Sequence, residues 1–440
     1  MSGATTSGRM SPGLLLVAER AKRDPNGKIL SLAHLIDIAA LRRAYERQRK
    51  DAAVGVDGMT KKEYGQNLEE RLKDLHQRLV SKQYRHQPIR RVHIPKDNGK
   101  TRPIGISAFE DKLVQDAVRE VLETIYEQDF LPCSYGFRPG RSAHDAVRGL
   151  KGAVDSGQVH WILEADIVSY FDSIDRKMLM EMLRSRIADE SLMRLIGKCL
   201  HVGVLDGEEY SEPDVGTAQG SVLSPLLGNV YLHYVLDLWF EREVKPRLRG
   251  AATLHRYCDD FVMCFEQEAD ARRVMEVLSK RMGRYGLTLH PDKTRLLPFG
   301  EPPRARTSGK GPATFDFLGF TMYWKRTRWG RWRMQCKTRR ARLSRAIVTI
   351  GAWCHRHRHQ PIKAQHAALK RRIQGHINYF GVSGNFERLM LVVEEAKRCW
   401  FKWLQRRSQQ RHLTWERFSE ILKRYPLPRP RITVKLWATT

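Results

Sequence analysis

Two adjacent acids, Asp259 and Asp260, interrupt a run that is otherwise largely apolar: Leu254-His255-Arg256-Tyr257-Cys258-Asp259-Asp260-Phe261-Val262-Met263. A hairpin with its turn at the acids lifts both carboxylates out of the core at a tight tip. Two like charges side by side are costly. A pair of divalent ions removes the repulsion, and two-metal sites hold their ions about 3.5 to 4 Å apart to serve attacking and leaving oxygens. Such a tip asks for a third carboxylate. Asp166 supplies it, set in the strand-like run Trp161-Ile162-Leu163-Glu164-Ala165-Asp166-Ile167-Val168-Ser169-Tyr170-Phe171-Asp172. An Asp-Asp pair alone is most simply a solvated turn, because Asp populates turns. Asp166 in a second strand moves the balance to a metal site.

Tyr257-Cys258-Asp259-Asp260 resembles the Tyr-x-Asp-Asp box of reverse transcriptases, and Asp166 through Asp172 resembles the first metal motif of the same palm. Between them, Gly216-Thr217-Ala218-Gln219-Gly220-Ser221-Val222-Leu223-Ser224-Pro225-Leu226-Leu227-Gly228-Asn229 is similar to the family's Pro-Gln-Gly segment, in the variety carried by group II intron maturases. The order along the chain is that of the family, and the likeness extends from about Ala53 to Phe320. It implies an α+β right-hand polymerase. Fingers and palm, antiparallel sheet plus helices, would span 53–322, after an N-terminal extension, 1–52. An α-helical thumb, the X or maturase domain, would span 323–410, and a basic nucleic-acid-binding tail 411–440.

The same resemblance assigns roles. Asp166, Asp259 and Asp260 would be catalytic and, with the Ile167 carbonyl, would hold two Mg²⁺ ions, with Mn²⁺ able to substitute; Mg²⁺ prefers hard oxygen ligands and keeps phosphates in its shell. Incoming dNTPs would meet Lys96 and Arg102 on a basic hairpin over Ile89 to Ile106, Phe171 as a ring that obstructs a 2′-hydroxyl, Gln219, and Lys293. Template and primer would meet Arg138, Arg141 and Ser142 in Ser134-Tyr135-Gly136-Phe137-Arg138-Pro139-Gly140-Arg141-Ser142, together with Tyr257, Leu318 and Gly319. Ala218 and Cys258 depart from the proline and alanine usual at those places. Neither removes a metal ligand, but both put the subfamily in question.

Charge distribution separates the last part of the chain from the rest. The formal net charge is +29. Counting Lys plus Arg as 29 and acids as 5 from Thr321 onward gives +24 there and +5 over the first 320 residues. Neutralising phosphates releases counterions, so this part reads as a polyanion-binding surface. Trp324, Trp329 and Trp332 alternate with cations, a pattern suited to RNA. Arg326, Arg328, Arg331, Arg339, Arg340, Arg371 and Arg372 are the candidate RNA-binding residues. An acidic lipid surface is the alternative polyanion, disfavoured by the lack of a long apolar span. Apolar spacing after Thr321 predicts three helices, followed by an extended Pro- and Arg-rich strip from Pro426. Cys354-His355-Arg356-His357-Arg358-His359 reads as a phosphate-facing helix end, with no second ligand pair to make a metal cluster.

Seven scattered cysteines without Cys-x-x-Cys spacing fit reduced thiols in a bacterial cytoplasm rather than an organelle. The expected partners are group II intron RNA, an RNA template with a DNA primer, target DNA and dNTPs, without a membrane, the chain acting as a monomer or homodimer on RNA. No His-Asn-His nuclease pattern follows the helices, so a ready-made DNA 3′ end is the expected primer. The expected function is RNA-directed DNA synthesis coupled to intron splicing and mobility. The alternatives are a host-adopted relative in DNA repair or phage defence, and an RNA-binding splicing factor without polymerase activity.

Overall fold

A computed structural model of the chain describes residues 10–95, 101–207, 209–211, 215–217, 220–302, 313–327, 329–407 and 413–436. Lys96, Gln219 and Arg328 lie outside the described residues, as does the basic tip 96–100 of the predicted hairpin.

The strands are β1 (Ile89–Pro95), β2 (Thr101–Ile106), β3 (Trp161–Ala165), β4 (Val204–Asp206), β5 (Glu209–Ser211), β6 (Ala252–Tyr257), β7 (Asp260–Phe265), β8 (Arg295–Pro298), β9 (Phe315–Phe317), β10 (Phe320–Arg326) and β11 (Trp332–Thr338). The sheet that carries the acids has the order β6-β7-β3-β8 and is antiparallel throughout. Its two inner strands are largely apolar on both faces because both faces are covered, and the buried Glu164 on β3 is paired with Arg295. Leu163, Phe261, Met263 and Phe265 belong to the main core, which also receives Val274 and Leu278 of the helix Glu268–Arg284. The alternate residues Ile162, Val262 and Cys264 join Val147 and Leu150 of the helix Ala143–Asp155 in a second core. Period-two alternation therefore sorts one strand's side chains into two separate cores.

The remaining sheets flank this one. β1 and β2 form the expected antiparallel hairpin, and β1 continues through a parallel pairing with β4, giving the order β2-β1-β4-β5. The sheet β11-β10-β9 turns Phe320, Met322 and Trp324 inward and Lys325 and Arg326 outward. Trp324 is thus a core residue, stacked on Phe299 and donating its indole N–H to the Phe299 carbonyl at 3.3 Å. It is not the RNA-facing ring that its basic neighbours suggested. Trp329 is 73% exposed.

Three helices follow as the spacing predicts, Arg340–Arg356, Ile362–Phe380 and Phe386–Gln405. A fourth helix that the spacing did not predict comes next: Thr414 caps Trp415–Arg424, whose Phe418 is fully buried against Trp400 and Phe401. From Pro426 the chain is extended as expected, anchored by buried Leu427 and Leu436 and by a bridge from Val434 to Val382.

The long helix Phe109–Asp129 is the axis of the main core, with the helices Pro12–Arg23 and Ile38–Arg47 packed on it. Arg186 ties these pieces together. Its buried guanidinium pairs with Asp129 at 2.8 Å, donates to the Ala21 and Asp24 carbonyls at 2.8 Å each, and also donates to the Gly27 carbonyl. Arg186→Met leaves the Asp129 carboxylate and three carbonyls without their donor. The expected loss is about 3 to 5 kcal/mol, read as a lower urea midpoint at unchanged slope.

Candidate active site

The turn between β6 and β7 is two residues long. Tyr257 pairs with Asp260, and Cys258 and Asp259 form the tip, with Cys258 at φ 59°. A side chain in the left-handed region is disfavoured, so the surroundings must hold it there. Arg256 does this from directly beneath. It is fully buried, forks onto Asp237 at 2.7 and 2.6 Å, and donates to Asn229 Oδ1 at 2.9 Å, Ser134 Oγ at 2.7 Å and the Cys258 carbonyl at 3.1 Å. A buried guanidinium is tolerated when its donors are satisfied and its charge is paired, and both conditions hold here. Asn229 in turn donates to the Gly136 carbonyl at 2.6 Å. A Cβ on Gly136 would lie 2.5 Å from the Cys258 nitrogen, so only glycine lets this segment lie against the turn.

Asp166 leaves the end of β3 beside this turn, since β3 pairs with β7 up to Ala165 and Phe261. Its carbonyl accepts from His290 N at 2.8 Å, and Ile167 bridges Leu289, so the backbone on both sides is fixed. Lys293 Nζ pairs with the Asp166 carboxylate. Asp260 accepts from Leu318 N at 3.3 Å. Burial pushes the Asp260 carboxyl up to about 7, against that hydrogen bond and helped by the charges of Asp166 and Asp259. Asp259 is raised by burial and by Asp166, while its own backbone N–H, the Cys258 thiol and Arg102 hold it down. Three hard-oxygen donors at the ends of two neighbouring strands suit divalent cations. Among the described residues no group of three His, Cys, Asp or Glu side chains stands close enough to hold a metal ion by itself. An ion here would therefore take part of its shell from substrate, as Mg²⁺ commonly does.

The other predicted residues divide by position. Arg102, on β2, acts electrostatically on Asp259. Phe171 sits in the short helix Tyr170–Ser173, part-buried beside Tyr170, whose hydroxyl donates to the Gly228 carbonyl at 2.5 Å. Leu318 and Gly319 make the turn from β9 to β10 at φ 52° and 80°, and Tyr379 donates to the Leu318 carbonyl at 2.9 Å. Tyr257 is half-buried beside Phe137. Arg138 is a correction. It is buried, paired with Glu127 at 3.0 Å and donating to the Leu131 and Ser134 carbonyls, so it holds the segment's shape and is not turned towards a template. Ser142 spends its hydroxyl capping the helix Ala143–Asp155. Arg141 lies over Tyr135, donating to the Pro132 carbonyl at 2.8 Å.

In the basic region Arg331, Arg340, Arg371 and Arg372 are exposed, with Arg372 over Trp353 and Arg326 over Trp332. Arg339 is exposed but engaged, pairing with Asp316 at 3.0 Å. The sequence reading missed Arg256, Asp237, Asn229 and Ser134; an arginine inside an apolar strand was their one signal. It also missed the cleft of about 780 Å³ that opens from Asp260 and Gly319 past Arg342, Arg345 and His376.

Comparison with known proteins accounts for this arrangement. The family described as reverse transcriptase (RNA-dependent DNA polymerase) matches residues 94–322, which contain all three acids. The chain belongs to the reverse transcriptases. Protein YkfC of Escherichia coli (strain K12) is 33% identical over 373 residues, 77% of this chain and 95% of that protein. The group II intron-encoded protein LtrA of Lactococcus lactis subsp. cremoris is 40% identical over 224 residues, 48% of this chain and 37% of its own length. An uncharacterized 91 kDa protein in the cob intron of Schizosaccharomyces pombe is 44% identical over 169 residues, 38% of this chain and 20% of that one. As a reverse transcriptase of group II intron kinship, this chain is an RNA-directed DNA polymerase. No helix among its described residues is long and apolar enough to cross a membrane.

The Arg256 fork gives this reverse transcriptase a sharp stability test. Arg256→Lys keeps the charge and loses the paired geometry, so unfolding free energy should fall by about 2 to 4 kcal/mol in denaturant titration.

Proposed function

We propose that this polymerase extends a DNA 3′ end on an RNA template, using dNTPs and two Mg²⁺ ions held by Asp166, Asp259 and Asp260. The observation that carries the reading is that Asp166 follows the end of β3 beside the β6–β7 turn bearing Asp259 and Asp260, with Lys293 paired to Asp166. Bound Mg²⁺ would supply the Lewis acidity that makes the primer hydroxyl nucleophilic and takes up charge on the departing pyrophosphate. The chain's own residues do the positioning. Arg102 brings positive charge to the triphosphate side. Lys293 neutralises Asp166 in the free protein and, with 58% of its side chain exposed, is free to pass to phosphate when the site fills. Phe171 presents its ring beneath the sugar and obstructs a ribose 2′-hydroxyl.

In this reading residues 53–322 are fingers and palm, and 323–410 the thumb, with the remainder contacting nucleic acid. The cleft between Asp260 and the helices Arg340–Arg356 and Ile362–Phe380 then takes the primer strand. The name of LtrA, a group II intron-encoded protein, supports a cognate intron RNA as the structured partner, held by the exposed arginines and rings after Thr321. Splicing assistance and intron mobility follow from that partnership. Monomer and homodimer on RNA both remain compatible with it.

The test is extension of a DNA primer on an RNA template in Mg²⁺. Wild type should extend with dNTPs, and Asp259→Asn should abolish synthesis while RNA binding is kept; an active Asp259→Asn would overturn the site. Phe171→Val should raise ribonucleotide incorporation, and unchanged sugar discrimination would remove Phe171 from the role.

A further inference from the structure

Gln115 is a polar side chain with no exposed surface on the long helix Phe109–Asp129, among Leu113, Val114, Ala117 and Val118. Burying a primary amide is costly unless its bonds are made. Here both ends are used. Oε1 accepts from Ser221 Oγ at 3.0 Å and from Val222 N at 3.3 Å. Nε2 donates to Ser107 Oγ at 3.1 Å and faces His86 Nε2 at 2.8 Å. The histidine fixes which way the amide points. His86 Nδ1 lies 2.7 Å from the Gln87 carbonyl and so carries the proton, leaving Nε2 to accept. Burial draws this imidazole down to about 4, which keeps it neutral near pH 7. The ring also lies 3.2 Å from Asp111, whose other oxygen accepts from Tyr84 at 2.5 Å.

The amide oxygen is thereby aimed at Ser221 and Val222, the described residues at the far end of the loop whose near end is Gly216 and Thr217. That loop is clamped at three further points. Gly216 N donates to the Ile174 carbonyl at 2.9 Å, and Thr217 N to the Phe171 carbonyl at 2.7 Å. Gly220, at φ 109°, approaches β2 so closely that a Cβ would lie 2.5 Å from the Gly105 carbonyl. The loop thus bridges the Phe171 turn and the strand that carries Arg102, and Gln115 holds its far end.

We propose that Gln115 is a positioning residue for the incoming nucleotide, helping through the acceptor bonds of its Oε1 to set Gly216, Thr217 and Gly220 through Val222 against Phe171 and β2. The inference rests on the dNTP-binding reading above. It assigns the effect to one atom, because Oε1 alone touches the loop while Nε2 serves only Ser107 and His86.

The test is steady-state incorporation on RNA template with DNA primer, comparing wild type, Gln115→Met, Gln115→Glu, Ser221→Ala and the double variant Gln115→Met/Ser221→Ala. Unpairing buried donors predicts a KM for dNTP raised about five- to thirtyfold in Gln115→Met, with primer-template Kd unchanged. Gln115→Glu keeps an acceptor towards the loop but sets its other oxygen against the accepting His86 Nε2, so its KM should fall between those of wild type and Gln115→Met. The double variant should show a KM no higher than Gln115→Met, since both changes remove the same bond. A variant that simply unfolds loses primer-template binding and kcat together, and Ser221→Ala alone then carries the test through a raised KM. Wild-type-like KM in both Gln115→Met and Ser221→Ala, on an enzyme that extends normally, would overturn the inference. A wild type that extends nothing would instead overturn the dNTP-binding reading.

Discussion

The buried pair of Arg256 and Asp237 is the interaction on which the active site depends. It lies with no exposed surface beneath the turn that carries Asp259, bonds that turn at the Cys258 carbonyl, and through Ser134 and Asn229 joins two separate parts of the chain to it. A buried ion pair is weak evidence for net stability, since apolar residues of the same volume often do as well. Its directional bonds are what an apolar replacement lacks. They hold a strained Cys258 backbone in one conformation, which fixes where two like-charged carboxylates point. Asp237 ends a π-helical turn, His233–Asp237, and such local widenings recur at functional sites.

From that anchor the catalytic rim is built outward by backbone contacts. Asp166 is set by the β3 pairing and by His290, and Asp260 by the turn at Leu318 and Gly319. Tyr379 reaches that same turn from the helix Ile362–Phe380, so the carboxylates and the basic helical region share one hinge of contacts. The nucleotide side is assembled separately, by β2, the Phe171 turn and the loop held by Gln115. The two halves meet where Arg102 acts on Asp259.

Much of this was legible in the sequence, for physical reasons. Acids inside apolar runs are rare enough that Asp166, Asp259 and Asp260 marked their own strands, and the alternation around them marked the sheet. The hairpin Ile89–Pro95 with Thr101–Ile106, and the three helices after Arg339, followed from periodicity. The failures share a cause. Arg138 was placed by resemblance to a template-contacting segment and Trp324 by its basic neighbours, yet a nearby glutamate and strand alternation turn them inward. The helix after Thr414 was masked by its polar and basic residues, although Trp415, Phe418, Ile421 and Leu422 recur at helical spacing and Phe418 enters the core between Trp400 and Phe401. The networks of Arg256 and Gln115 join residues up to 122 positions apart, and only the fold brings them together.

The most direct test of the account is the number of divalent ions bound to the complex of chain, primer-template and a non-reactive dNTP analogue, read by Mn²⁺ electron paramagnetic resonance. Convergence of the three acids predicts about two ions per complex for wild type and loss of at least one in Asp166→Asn. Equal Mn²⁺ binding by both proteins would contradict it.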